Sequence, residues 1–400
     1  MNRKTVLLFC AACALCLPAC TTQQVMQVAL AKDPERALKS MAQSRVNAYQ
    51  YNPRLILADL RRAQAEFNRL IGNVQKESGM RWGKRESGVL PGRTRYVKYT
   101  DHYKNRVVVD YDAGSILIEH LDEENAREKL RNAIIVALLT PNDPSAVDVF
   151  SDKEIPLTGQ PYLQDLVPDQ NGALLRTRDD VERYADHLVT DRLQRRSIDV
   201  NGEQRQVLYV SMNMVNGHLD KRALQYAAPV RQHAQTSGVS RSLVFAVIET
   251  ESSFNPYAVS SAPAYGMMQL VPTSGGREAY RKAKGQDAVP SKEYLFDATN
   301  NIELGSTYLG VLLNDSPLRK IRNPVSREYC AIAAYNTGPA NVFRAFSTLT
   351  GQAREADALD KINSMQPNEV FETLRTRLPY EETRGYIVKV VKAKKRYAMM

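Results

Sequence analysis

In the run Ser240-Arg241-Ser242-Leu243-Val244-Phe245-Ala246-Val247-Ile248-Glu249-Thr250-Glu251-Ser252, the apolar residues Val244, Val247 and Ile248 recur at i, i+3 and i+4. That is the spacing of one buried helix face. The next position on the stripe, i+7, is Glu251, so a carboxylate is expected among apolar neighbours. Glu249 lies about 200° round the helix at about 100° per residue and faces the other way. Glu251 also falls in the last turn, where the helix dipole is negative, so desolvation and dipole both favour its protonated form. A carboxyl held neutral near pH 7 suits a general acid. The alternative is a structural glutamate paired with a basic residue.

Working outward, the chain from Lys221 to the end has almost wholly helical periodicity, broken by Gly, Pro, Ser and Asn loops. Upstream the texture changes. Tyr96 to Tyr99, Arg106 to Tyr111 and Ser115 to Glu119 are β-rich, and Asp112-Ala113-Gly114 between the last two reads as a hairpin turn with glycine at positive φ. A helix is expected from Glu123 to Leu139, stopped by Thr140-Pro141, and a further strand from Gln206 to Met214. Asp33-Pro34 and Asn52-Pro53 each set a capping side chain before a proline and announce two helices nearer the amino terminus. The second carries the stripe Ile56, Leu60, Ala63, Phe67, Leu70, Ile71 and Val74, which needs a surface to dock on. The expected fold class is an α+β amino-terminal domain followed by an all-α domain. Expected bounds are a leader over 1–19, a helical lead-in over 20–80, the α+β part over 81–215 and the helical part over 216–400.

The chain has 400 residues, 43% hydrophobic and 24% charged, which excludes disorder as its main state. A net charge of +10 suits acidic polymers and surfaces. Nucleic acid is not an expected partner, because neither paired zinc-ligand cysteines nor an aromatic-glycine RNA signature is present. Arg3-Lys4 followed by the apolar run Thr5 to Leu17 has the layout of a secretory signal. Leu17-Pro18-Ala19-Cys20 resembles a bacterial lipoprotein box, with Pro18 a departure from the usual residue. The box implies that Cys20 is acylated, and Thr21 in place of aspartate implies the outer membrane, facing the periplasm. Of the five cysteines, Cys10, Cys13 and Cys16 fall in the leader, which leaves Cys330 alone and expected to pack in a core helix.

Four segments then occur in order: Glu251-Ser252-Ser253-Phe254-Asn255-Pro256, Gly266-Met267-Met268-Gln269, Ala334-Tyr335-Asn336-Thr337-Gly338 and Glu382-Thr383-Arg384-Gly385-Tyr386. Their order and spacing resemble the Slt-type lytic transglycosylase domain, a lysozyme-like fold. The upstream stretches Tyr96 to Asp101 and Asn213 to Ala223 resemble the amino-terminal domain of the membrane-bound lytic murein transglycosylases C. The resemblance implies that Glu251 is the catalytic acid/base and that Ser260 lies near the reacting sugar. It implies that Met268, Gln269, Tyr335, Asn336, Glu382 and Tyr386 bind the glycan, with hydroxyls of Tyr335 and Tyr386 available to a cationic intermediate. Peptidoglycan strands are the implied substrate.

Ordinary glycosidases need two carboxylates about 5–9.5 Å apart. A lytic transglycosylase needs one, because the substrate's own 6-hydroxyl replaces water and leaves a 1,6-anhydromuramyl end. All five histidines, His102, His120, His187, His218 and His233, precede residue 239, so the helical chain beyond that point cannot by itself build a Ser-His-Asp, Cys-His or His-ligated zinc site. No phosphate loop or dinucleotide fingerprint stands out, and no metal or cofactor is expected. The other readings are a lysozyme-like hydrolase that uses water and a wall-binding lipoprotein without activity. Because all four segments lie downstream of Gly217, a fragment starting near Lys221 is expected to fold and cleave soluble muropeptides while acting poorly on intact sacculi.

Overall fold

The computed structural model describes residues 53–86, 88–121, 124–260, 264–347 and 355–400. The leader, Cys20 and the helix announced by Asp33-Pro34 lie outside the described residues. The helix announced by Asn52-Pro53 is α1, Pro53–Trp82, ended by Gly83 at φ 81°. Strands β1 (Arg95–Thr100), β2 (Asn105–Asp110) and β3 (Ser115–Leu121) follow, then α2 (Ala126–Leu139) and α3 (Arg178–Asp191). Strands β4 (Gln194–Val200) and β5 (Glu203–Asn213) complete a five-stranded antiparallel sheet in the order β1-β2-β3-β5-β4. The rest is helical: α4 (His218–Gln225), α5 (Ala227–Ser237), α6 (Arg241–Ser252), α7 (Arg277–Lys284), α8 (Lys292–Phe296), α9 (Ala298–Gly310), α10 (Pro324–Thr337), α11 (Pro339–Phe346), α12 (Glu355–Asn363), α13 (Pro367–Arg377) and α14 (Glu381–Arg396).

The β2–β3 turn needs its glycine. Gly114 has φ 68°, and an added Cβ would stand 2.6 Å from the His218 ring. The Asp110 carboxylate accepts from the backbone N–H of Asp112 and Ala113 and closes the same turn. Two elements were not anticipated. Helix α3 opens on a capping box of Thr177 with Asp180, and β4 is a polar edge strand that buries only Ile198 and Val200.

Helix α1 docks as its stripe requires, with Phe67 and Val74 buried and Leu70 and Ile71 packed beside them. Phe67 meets Phe150 edge to face at 6.1 Å. At its end Trp82 is fully buried, donates from its indole N–H to the Tyr103 carbonyl at 2.7 Å, and carries the Arg106 guanidinium over its ring at 4.2 Å. Arg106 and Arg196 together engage Glu86 and Glu119, so the buried Arg106 and Glu119 and the half-buried Arg196 and Glu86 each have an opposite partner. Hydrogen bonding to Arg196, followed by Arg106, holds the Glu86 carboxyl down at about 2 against the opposing effect of burial.

The expected division at 215/216 falls in the link between β5 and α4. The expectation of two separate cores is corrected, because one apolar cluster runs from Phe67 through the sheet and α2 to Tyr257, Val259, Tyr265 and Leu304. Tyr257 packs on Tyr96 at 4.9 Å and on Tyr162 at 5.6 Å, and its hydroxyl donates to the Pro141 carbonyl. Arg222 at α4 is buried over the Tyr111 ring at 4.5 Å and donates to the Tyr111 carbonyl at 2.7 Å. A second cluster lies wholly within the carboxy-terminal part and holds Val244, Val247, Ile248 and, on α10, Cys330.

Candidate active site

Helix α6 is started by the Ser240 hydroxyl, which accepts from the Leu243 N–H at 3.3 Å. It ends at Ser252, with Ser253 in the left-handed region. Its buried face carries Val244, Val247 and Ile248 and, one turn on, Glu251, only 4% exposed. Burial pushes the Glu251 carboxyl up to about 7. The Arg93 guanidinium and the Tyr386 hydroxyl pull the other way, and the nearby Glu382 carboxylate adds to the rise. The group is therefore largely a neutral acid below pH 7 and ionises near it.

Glu251 opens into a cleft of about 1120 Å³ whose walls include Ser260, Gln269, Tyr335, Asn336 and Glu382. Gln269 sits at φ 48°, and its amide N–H donates to the carbonyls of Gly266 at 2.8 Å and Ala258 at 3.3 Å. That leaves its buried Oε1 without a protein partner. Asn336 Oδ1 accepts from the Thr383 hydroxyl at 2.6 Å, which ties α10 to α14.

Two expectations change. Met268 does not line the cleft. It is fully buried against α9, where a Cβ at Gly305 would stand 2.2 Å from its sulfur. The Tyr335 hydroxyl is not turned to substrate, since it donates to the Met268 carbonyl at 2.8 Å and leaves only its ring to the cleft. Tyr386 stands behind Glu251 as a buried ring whose hydroxyl faces the carboxyl.

The charged cleft residue nearest Glu251 was not anticipated. Arg93, in the loop before β1, has its Nη1 at 3.6 Å from Glu251 and 3.2 Å from Glu382. The Asn255 amide holds that loop by donating to the carbonyls of Arg93 at 3.0 Å and Gly92 at 3.4 Å. No local pattern around Arg93 announces this, because the contact exists only once the sheet has docked on the helices.

Glu249 faces away, as the helical angle requires, and accepts from Arg396 at 2.9 Å and from the Tyr397 hydroxyl at 2.5 Å. Glu249→Gln keeps an acceptor there. It is expected to leave the rate on peptidoglycan within about twofold of the parent and to cost about 1 kcal/mol of stability, measured by assay and thermal melt. Among the described residues no group of three or more His, Cys, Asp or Glu is placed to hold a metal ion.

Residues 60–225 match the amino-terminal domain of membrane-bound lytic murein transglycosylase C, and residues 228–357 match the transglycosylase SLT domain. The Glu382 to Tyr386 segment lies beyond the second match. The membrane-bound lytic murein transglycosylase C of Klebsiella pneumoniae (strain 342) is 42% identical over 332 residues, 83% of this chain and 89% of that protein. Its counterpart in Sodalis glossinidius is 42% identical over 83% of this chain and 90% of its own length. Among solved structures, an inactive mutant of the lytic transglycosylase Slt from Pseudomonas aeruginosa aligns at 27% identity and TM-score 0.32, covering 43% of this chain and 24% of that one. The 70 kDa soluble lytic transglycosylase of Escherichia coli aligns at 23% identity and TM-score 0.33, covering 46% of this chain and 26% of that one. The chain spans about a quarter of each of those two larger enzymes. With those two domain matches in order along this chain, and alignments that cover 89% and 90% of the Klebsiella and Sodalis proteins, the chain belongs to the membrane-bound lytic murein transglycosylase C family.

Proposed function

We propose that this chain is a lytic transglycosylase of the cell wall. It cleaves the β-1,4 bond between N-acetylmuramic acid and N-acetylglucosamine, leaves 1,6-anhydromuramyl ends, and serves wall turnover and remodelling. The observation that carries the mechanism is the buried carboxyl of Glu251, kept largely neutral below pH 7 by desolvation and opening into a cleft of about 1120 Å³.

Glu251 gives its proton to the glycosidic oxygen as the bond from that oxygen to the muramyl C1 breaks. The C1 cation is stabilised by the substrate's acetamido group. Glu251, now ionised, takes the proton of the 6-hydroxyl while O6 closes on C1, and is neutral again for the next cycle. Closure within one sugar ring is entropically favoured over attack by water. Gln269, through its unpartnered Oε1, Asn336 and the ring of Tyr335 line the groove that holds the glycan.

A second reading rests on Glu382, a carboxylate in the same cleft that shares Arg93 with Glu251. Acting as a base on water, it would make the enzyme a lysozyme-like hydrolase. Reducing-end analysis of digested peptidoglycan separates the two, since only the first leaves anhydro ends.

The site of action is the periplasmic face of the outer membrane, reached through a lipid on Cys20. The apolar run ending at Cys20 supports this, and among the described residues no helix is long and apolar enough to cross a membrane. Cys20→Ser is expected to move the protein from the membrane fraction to the soluble periplasm. Retention in salt-washed membranes would mean that something other than acylation holds it.

A further inference from the structure

Arg93 joins two carboxylates in the cleft, and it comes from the amino-terminal domain rather than from the helical one. We propose that Arg93 is a positioning residue of the reaction: it compensates the carboxylate that Glu251 becomes on giving up its proton, and it holds Glu382 at the cleft wall. This rests on the transglycosylase reading and extends it, because it makes the helical domain electrostatically incomplete without the domain in front of it.

The geometry supports a role in the reaction rather than in stability. The Arg93 to Glu382 contact is an exposed pair at 3.2 Å, with the glutamate side chain 69% accessible, and such pairs contribute about 0–1 kcal/mol. Glu251 by contrast is buried, so a cation 3.6 Å away acts on it through little water. The loop carrying Arg93 is fixed by backbone contacts. Gly92 donates to the Arg95 carbonyl at 2.8 Å, and the Gly92 carbonyl accepts from the Val259 N–H and the Asn255 amide. Asn255 is fully buried and lies four residues after Glu251 on the same segment, so acid and cation are held to one another through a short path.

The charged and titratable groups facing Glu251 are Arg93 from the loop before β1, Glu382 and Tyr386 from α14, and Tyr335 from α10. A general acid works while protonated, so the rate should be full below the carboxyl's pKa of about 7 and fall as pH rises through it. Arg93 favours the ionised form. Removing it should raise that pKa and move the alkaline limb upward. Glu382 favours the neutral form, so removing it should move the limb downward.

The test measures kcat and kcat/KM against pH on purified peptidoglycan for the parent, Arg93→Gln, Arg93→Lys and Glu382→Gln, with a thermal melt of each. Arg93→Gln is expected to shift the alkaline limb of kcat/KM up by about half to one pH unit. It should lower kcat about three- to tenfold, since the conjugate base of the acid is less well stabilised. Arg93→Lys should fall between, having the charge without the fork. Glu382→Gln should shift the limb in the opposite sense. The proposal is overturned if the limb stays where it is in both Arg93→Gln and Glu382→Gln. It is equally overturned if activity is lost only in step with a lowered melting temperature, which would make Arg93 structural. Glu251→Gln run beside them keeps the two claims apart: if it retains its rate and limb, the assignment of Glu251 fails whatever Arg93 does.

Discussion

Glu251→Gln should lower turnover on peptidoglycan by about 10²- to 10⁴-fold, the range that a positioned general acid contributes. Fold and wall binding should stay intact. Glutamine is nearly isosteric with the neutral acid, and the neutral form is the one that burial favours at this site below pH 7. The melt should therefore be unchanged or slightly raised, since the variant cannot ionise in a pocket that penalises charge. Binding to sacculi in a pull-down should match the parent, as the cleft walls are untouched. More than about a hundredth of the parent rate, in a preparation free of the parent enzyme, would remove Glu251 from the mechanism.

Deleting residues 1–220 should abolish activity and cooperative folding, contrary to the expectation that the helical part stands alone. Such a fragment keeps Tyr257 and Val259 but loses the surface that covers them, and each re-exposed side chain of this kind costs about 1.5–3 kcal/mol. Asn255 loses its acceptors at Gly92 and Arg93, Tyr257 loses Pro141, and Arg222 loses the Tyr111 carbonyl and ring. Together these reach several kcal/mol, against a total stability of about 5–15 kcal/mol for an ordinary domain. Near-ultraviolet circular dichroism and a thermal melt decide it. A fragment that melts cooperatively and digests sacculi as fast as the longer chain would show that the shared core is dispensable and that Arg93 contributes nothing.

The contrast between Glu251 and Arg93 shows what could be read in the residues and what could not. The stripe of Val244, Val247 and Ile248 with a glutamate at the next position is local, set by the helix repeat, and the buried acid follows from it. Gly114 in the β2–β3 turn is equally local, since the β-rich runs on either side and the need for positive φ leave little choice. Strand β4 escaped because its core contribution is small. Arg195 and Arg196 interrupt any alternating pattern, and only Ile198 and Val200 are buried. Helix α3 carried its signal in the Thr177 to Asp180 capping box, a side-chain feature rather than an apolar one.

Met268 and Tyr335 were placed by their neighbours in a motif, and a motif does not say which way a side chain turns. Packing against Gly305 draws Met268 inward, and the Met268 carbonyl then captures the Tyr335 hydroxyl. Arg93 could not be seen at all. Its role depends on the docking of the amino-terminal part against α4 and the segment after α6, which joins residues far apart in the chain through Arg222, Asn255 and Tyr257.

The central claim is that the substrate's 6-hydroxyl, and not water, completes the reaction begun by Glu251. It is tested most directly by digesting purified peptidoglycan with the mature protein in heavy-oxygen water and measuring the masses of the muramyl ends. The expected products are lighter than hydrolytic ones by one water, carry no heavy oxygen and resist borohydride reduction. Ends that are reducible and carry the heavy oxygen, and that disappear in Glu382→Gln, would contradict the account and make the enzyme a hydrolase with Glu382 as its base.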